Sequence, residues 1–492
     1  MDFDKKYSCL EKNSLVCKKN VEIENDFQET LQQFSSDIYR VVKCSCHGYI
    51  TGIDVAENCV VINGKIQLNL TYYNEESVLS YADFEENFNK TVDVEGISQS
   101  AFASAEICDK YNGFRVINQR RIDIHCAHCI TVAVYDKTGT PCLSACNGSR
   151  LKYESVDCVN VVNTSHNKIE FDEDMQINNA VNRIINQCAY VSVIDTKMIK
   201  DKALIKVHIR CVINYTSGDD DLINTAEKSF ELSKIVEIPG IDEDDIMIPC
   251  AAIGSLYAKA KNAGDSSSSI VQLYGDAVIT TTIVHKSSVD IVTDGYILNH
   301  HCDCRYEKCW LSVDGCLLKN SETYNISFSF NNDICEVKNC QLCLLDYCVR
   351  DGSIVMKFGL NVLCINLEGS VVCYSTTGQT QFGIGNYSEA IAGVSINSFD
   401  YTLSGANCID VRAVLDVDAF VYNNREVNLL SELDIADEVV DYPALTVYFA
   451  KQNESVWNIA KCFSSDIALI QKENNLSSDV LDCNKILLIP GV

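Results

Sequence analysis

Through most of this chain apolar side chains recur at every second position. Ile66, Leu68, Leu70 and Tyr72 do so, as do Ile205, Val207, Ile209 and Cys211, and then Met356, Phe358, Leu360, Val362 and Cys364. A period of two puts these side chains on one face of a strand. A phenylalanine follows each run, at Phe88, Phe230 and Phe382. A hydrophobic-x-Gly step comes next: Val94-Glu95-Gly96, Ile238-Pro239-Gly240 and Ile391-Ala392-Gly393. A long alternating strand closes each series, from Ile122 through Val134, Val271 through Val278 and Ile409 through Phe420. Helical periodicity is scarce between these marks. The pattern predicts a mostly β protein with three copies of a sandwich- or barrel-like domain, at residues 35–150, 178–295 and 330–435. Residues 1–34 read as a charged N-terminal segment with a short strand at Val21-Glu22-Ile23-Glu24. Residues 296–329 read as a connector with strand character of its own, including Tyr324, Ile326, Phe328 and Phe330. The acidic stretch Asp434 to Glu438, followed by Asp441-Tyr442-Pro443, reads as a short linker or as the end of the third domain.

The period changes over residues 443–492. Leu445 to Phe449 is a β-branched and aromatic run, the composition of a strand. Val456, Ile459, Ala460 and Phe463 recur at helical spacing. Ser464-Ser465-Asp466 offers side-chain oxygens to cap a second helix, and Asn474-Asn475 suits its left-handed end. Ile486 to Ile489 is a last strand, stopped by Pro490. This βααβ stretch resembles a LysM module: Ser455-Val456-Trp457-Asn458-Ile459-Ala460, Asn474-Asn475-Leu476 and Ile486 to Pro490 fall on that family's marks. LysM modules bind N-acetylglucosamine polymers through two loops, here Gln452 to Ser455 and Asn474 to Asp479. The resemblance makes Asn453, Glu454, Ser455, Trp457, Asn474, Asn475 and Leu476 the expected contact residues. The family's Gly-Asp pair is Asn453-Glu454 here, which keeps the acid and lacks the glycine that lets a sugar approach the backbone. Glycan binding and protein docking therefore both remain open, and Trp457 reads as either a contact or a core residue.

Composition narrows the classes. The chain has 492 residues, room for about three or four domains. Its net charge of −28 and pI of about 4.6 argue against nucleic acid and against docking on an anionic membrane. No apolar run is long enough for membrane insertion, and no apolar export region follows the polar start. A cytoplasmic protein is expected. Its 27 cysteines are then mostly thiols, with Cys211, Cys364 and Cys408 in the place of small buried hydrophobes and exposed ones free to cross-link. His300-His301-Cys302-Asp303-Cys304 with Cys309 and Cys316 is the densest set of zinc-type ligands, with His301, Cys302, Cys304 and Cys309 the candidate four. Cys302-x-Cys304 is shorter than a zinc knuckle, so burial on one strand face competes with coordination. His125 to Cys129 and Cys340-x-x-Cys343 are weaker candidates of the same kind. No nucleophile elbow, zinc-protease helix or Walker loop is present, so neither an enzyme nor a cofactor is expected.

The layout of tandem β-domains with a terminal LysM-like stretch resembles the SipL-type proteins, whose tandem units are SPOCS domains. Ser36 to Val41, Asn118 to Ile122, Ser288-Val289-Asp290 and Asp294-Gly295-Tyr296 carry the resemblance together with the C-terminal signature. It implies a spore-coat adaptor on the mother-cell side of the forespore, whose C-terminal module contacts a SpoIVA-like coat ATPase. The alternative is an envelope protein that binds peptidoglycan or a chitin-type glycan.

Overall fold

Alternation is expressed as strand almost throughout. The structure, a computed structural model, describes residues 3–218, 222–261, 268–440 and 443–491. Asp441 and Tyr442 of the expected linker lie outside the described residues. The first six strands are β1 (Lys5–Thr30), β2 (Arg40–Ala56), β3 (Cys59–Tyr73), β4 (Leu79–Asp93), β5 (Phe102–Asn118) and β6 (Arg121–Cys146). β2, β3 and β4 form a meander, while β1, β6 and β5 form a second sheet in that order. The same plan recurs in β7 (Ser149–Ile177), β8 (Arg183–Ile199), β9 (Lys202–Ser217), β10 (Leu222–Glu237), β11 (Ile246–Ala260) and β12 (Ser269–Ile297). It recurs again in β13 (His300–Ser329), β14 (Glu336–Arg350), β15 (Ser353–Ile365), β16 (Val371–Gly383), β17 (Glu389–Gly405) and β18 (Cys408–Val439). In every copy the long first strand returns to pair with the last.

Each copy is a sandwich. Its core joins the central meander strand to the long closing strand: Ile66 and Leu68 with Ile122 and Val132, Ile205 and Val207 with Val271 and Ile279, Phe358 and Leu360 with Val411 and Leu415. These are the alternating residues of the sequence pattern, and all are fully buried. The repeat has six strands rather than the five inside each expected domain. Residues 1–34 carry β1, residues 296–329 carry the whole of β13, and β7 lies largely between the first two expected domains. β7 adds Ile169, Phe171, Met175 and Ile177 to its core and β13 adds Ile326 and Phe328, whereas β1 buries Ile23 alone in the first core. β1 is an edge strand with Lys, Glu and Asn turned to solvent, a composition that blunts an edge and hides the strand signal.

Backbone irregularities repeat too. A one-residue register shift precedes Lys43 on β2, Asn186 on β8 and Asn339 on β14. Such bulges bend and twist a strand. Gly96 and Gly240 adopt φ of 76° and 83° and donate their N–H to Asn58 and Asp201, so they mark matching turns. Gly393 does not belong with them. It lies within β17, where a Cβ would stand 1.9 Å from the Pro249 carbonyl oxygen, and it lets β17 approach β11 closely. The third counterpart of Val94 and Ile238 is Ile384, whose N–H bonds the Gly352 carbonyl as theirs bond those of Asn58 and Asp201.

The three sandwiches close into a ring. β4 contacts β8, β10 contacts β14 and β16 contacts β2. Thr71 donates to the Ile185 carbonyl at 2.8 Å, Asn339 to Asn214 at 2.7 Å, and the Val371 N–H to the Tyr73 hydroxyl at 3.3 Å. β2, β5, β8, β11, β14 and β17 then surround a central cavity of about 660 Å³. On the other side, the overhanging halves of the long strands pack together, with Cys142, Val156, Ile291, Leu311 and Leu429 in one shared core.

The C-terminal unit comprises β19 (Leu445–Ala450), α1 (Val456–Cys462), α2 (Ile467–Asn474) and β20 (Lys485–Pro490). β19 and β20 pair antiparallel, and the order is βααβ as the sequence pattern predicts. Asp466 caps α2 by accepting from the Ala468 and Leu469 N–H groups, and Asn475 ends it at φ 52°.

Candidate functional site: the C-terminal unit and its seat

The two loops singled out in the sequence lie side by side. Ser455 and Val480 form a β-bridge, the Asn453 N–H donates to the Leu481 carbonyl at 2.8 Å, and the Leu481 N–H donates to the Glu454 carbonyl at 3.0 Å. Asn453 is exposed at φ 70°, a turn conformation that asparagine tolerates. The Glu454 carboxylate accepts from the Tyr448 hydroxyl at 2.6 Å and from the Lys451 N–H at 2.8 Å, which hold it below the usual range. Asn474 is buried, and its amide clamps β20 to α2, donating to the Ile470 and Leu488 carbonyls and accepting from the Leu488 N–H. Asn475 is exposed and Leu476 is half-buried. Asn453 and Asn475 are therefore the open surface of this loop pair, while Asn474 is a structural pin.

Trp457 is not presented to solvent. Its ring meets Tyr296 edge-on at 5.3 Å, and its Nε1 donates to Asp294 Oδ2 at 2.7 Å. Tyr296 and Asp294 belong to β12 of the second repeat, so this tryptophan joins the unit to the ring. Asp294 is the hub of that joint. It also accepts from Tyr306 at 2.9 Å, from its neighbour Gly295, and from the Lys461 ammonium. Burial alone would raise its carboxyl, but Lys461, Trp457 and Tyr306 hold it below the ordinary value. Four further bonds complete the seat. The Tyr296 hydroxyl donates to the Ser465 carbonyl at 2.8 Å, Ser464 Oγ donates to the Ile297 carbonyl at 2.9 Å, and Arg150 donates from Nε and Nη2 to Asp466 Oδ2 at 3.0 and 2.7 Å. Asp466 thus caps α2 with one oxygen and ties the unit to β7 with the other. In the sequence Asp294-Gly295-Tyr296 stands out only through the family resemblance, with no role attached. Arg150 and Lys461 carry no signal of their own.

The far face of the unit is apolar and open. Leu445, Val447 and Phe449 of β19 alternate outward, and Leu488 and Ile486 stand opposite the last two on β20. Phe449 is 72% exposed. Tyr448 and Leu487 alternate to the helix side.

The expected ligand set around His301 does not converge. Cys302 and Cys304 share one face of β13, half-buried, while His301 is exposed and lies at the alternate position. Cys309 is buried in the shared strand core. Among the described residues no three His, Cys, Asp or Glu side chains are placed to hold a metal ion. Cys304 is nonetheless distinctive: the Cys302 thiol beside it, then Tyr306 and Lys461, pull it down to about 6 against the effect of burial. Lys461 Nζ lies 3.3 Å from its sulfur. Cys126 and His128 are fully buried in the first repeat, while Cys129 of the same run borders the cavity. Cys340 sits in the third core and Cys343 on the cavity wall, since a spacing of three puts them on opposite faces of β14. All 27 cysteines are free, with Cys9, Cys335, Cys348, Cys462 and Cys483 exposed. Cys211 and Cys364 are fully buried, and Cys408 is half-buried at the start of β18.

Two segments, residues 37–109 and 180–258, match the family described as SipL, SPOCS domain. They run from just before β2 into β5, and from just before β8 into β11, which are equivalent stretches of the first two repeats. The third repeat has the same strand order outside the matched residues. No curated protein and no solved structure matches the chain.

Proposed function

We propose that this chain is a non-enzymatic adaptor in spore-coat assembly, acting in the cytoplasm on the mother-cell side of the forespore. The two SPOCS-domain matches tie the ring to a sporulation role. The C-terminal unit, read as a LysM fold from its signature and its βααβ order, is the docking tip for a SpoIVA-like coat ATPase. The observation that carries the protein-docking reading is the open strip of Leu445, Val447, Phe449, Ile486 and Leu488. Contiguous exposed apolar surface rimmed by polar groups marks protein interfaces. It faces away from the seat, so a partner reaches it without displacing the unit.

The paired loops around Asn453 and Asn475 support the alternative, binding of peptidoglycan or a chitin-type glycan. The test uses the full chain and a variant carrying Val447→Thr with Phe449→Thr, which keeps strand propensity and makes the centre of the apolar strip polar. Both are assayed for capture by a purified SpoIVA-like ATPase and for pelleting with peptidoglycan. The adaptor reading expects capture that the variant loses by tenfold or more, and no pelleting. Pelleting of both proteins, released by chitin oligomers, with no capture by the ATPase, overturns it in favour of glycan binding.

A further inference from the structure

The three repeats line a partly open central chamber that the adaptor role does not use. Its volume of about 660 Å³ is within the range of small-molecule sites. Equivalent strands of all three repeats supply its walls, so it exists only when the ring is closed. Glu106 shows what kind of space it is. Its carboxyl is crowded by protein atoms, which pushes it up, while the side chain remains exposed on the chamber wall.

The charges around the chamber do not cancel evenly. Asp109 pairs with His47 at 3.2 Å and accepts from the Gly48 N–H at 3.1 Å, with the buried His128 ring 3.3 Å away. Asp346 faces Lys110 at 3.9 Å. Glu106 accepts from the Tyr347 hydroxyl at 2.8 Å, and burial pushes its carboxyl above the ordinary value. Lys43 is different. Its ammonium donates to Asn186 Oδ1 at 3.1 Å and Gln341 Oε1 at 3.0 Å, two neutral amides. Among the described residues no carboxylate lies in ion-pair range of it, although the chain carries 68 acidic residues. An ammonium set on a chamber wall without a counter-ion favours an anion beside it. Hydroxyl and amide groups such as Ser45, Asn69, Thr131 and Ser375 line the same space.

We infer that the central chamber binds a small, hydroxyl-bearing organic anion, with its charged group at Lys43. The test uses the full chain with gluconate and glucose 6-phosphate as anionic probes and glucose as the neutral control. Melting temperature and native mass are read across a titration. At least one anion is expected to bind saturably and raise the melting temperature, with half-effect below about 10 mM, and glucose to have little effect. Two variants decide whether the chamber is responsible. Lys43→Gln removes the charge and keeps hydrogen bonding. Ala252→Phe fills the chamber from β11, where Ala252 is exposed to it, and leaves Lys43 untouched. Each is expected to weaken binding at least tenfold. No saturable effect from either anion, an equal effect from glucose, or binding unchanged in both variants overturns the inference.

Discussion

At the scale of single residues, the seat of the C-terminal unit depends on Asp294. Removing a carboxylate that receives Trp457, Lys461, Tyr306 and the Gly295 N–H leaves four donors unmet, Trp457 among them buried, and one unsatisfied buried group costs about 1–3 kcal/mol. Asp294→Ala is expected to loosen the unit and leave the ring folded. Limited proteolysis would show it as faster cleavage between β18 and β19, by about fivefold or more. A second residue-scale prediction concerns pH. Burial disfavours charge on His47, but Asp109 and the Ile253 carbonyl at 2.7 Å together raise it above its ordinary value. Its stabilising contribution is therefore full below about 6.5 and fades as pH rises through the folded-state value. Asp109 is lowered, so its share is present above about 3.9 and fades as pH falls through its folded-state value. His47 joins the first repeat to the second. Wild type should exceed His47→Gln in melting temperature at pH 5.5, and that margin should shrink by pH 9. A margin that stays constant or grows would show that the charged pair does not hold the contact.

At the scale of elements, the central meander strands were legible because both conditions for a clear signal hold: strict alternation, and burial of one face. β3, β9 and β15 satisfy both. β1 and much of β13 satisfy neither, since their charged side chains face water and their ladders come from main-chain groups common to every residue. The Gly393 step shows the same limit from the other side. Its hydrophobic-x-Gly pattern is shared with two turns, but its glycine serves a close approach between β17 and β11. Gly393→Ala should cost about 1–3 kcal/mol, because the Pro249 carbonyl has to move. Gly52→Ala, with open space around its Cβ, should be nearly neutral. Urea unfolding of the two variants checks the contrast. In the C-terminal unit even the caps were readable, because Asp466 and Asn475 act on their own neighbours in the chain.

At the scale of the molecule, ring closure makes the three repeats mutually dependent. Each sandwich has its own core, but the meander edges, the chamber walls and the bundled strand ends are shared. Urea unfolding of the full chain is therefore expected to show one cooperative transition for the ring. Leu68→Ala, confined to the first core, should lower the common midpoint, with a loss of about 2–5 kcal/mol. Three separate transitions, with only the first displaced by Leu68→Ala, would contradict the shared architecture. The seat follows the same logic: Arg150 and Asp294 lie far from Asp466 and Lys461 in the chain, and nothing local announces that they meet.

Local chemistry was enough to determine the strand content, the tandem repetition of β units, the strand, helix and cap positions of the C-terminal unit, and the buried face of the central strands. Period, propensity and capping act between neighbours in sequence, so one chain read alone displays them. The tertiary structure decided how the long first strand of each repeat pairs, that three sandwiches form a ring around a chamber, and that Trp457 faces inward. Those outcomes depend on main-chain pairing and on contacts between residues more than a hundred positions apart, for which a single sequence holds no periodic signal.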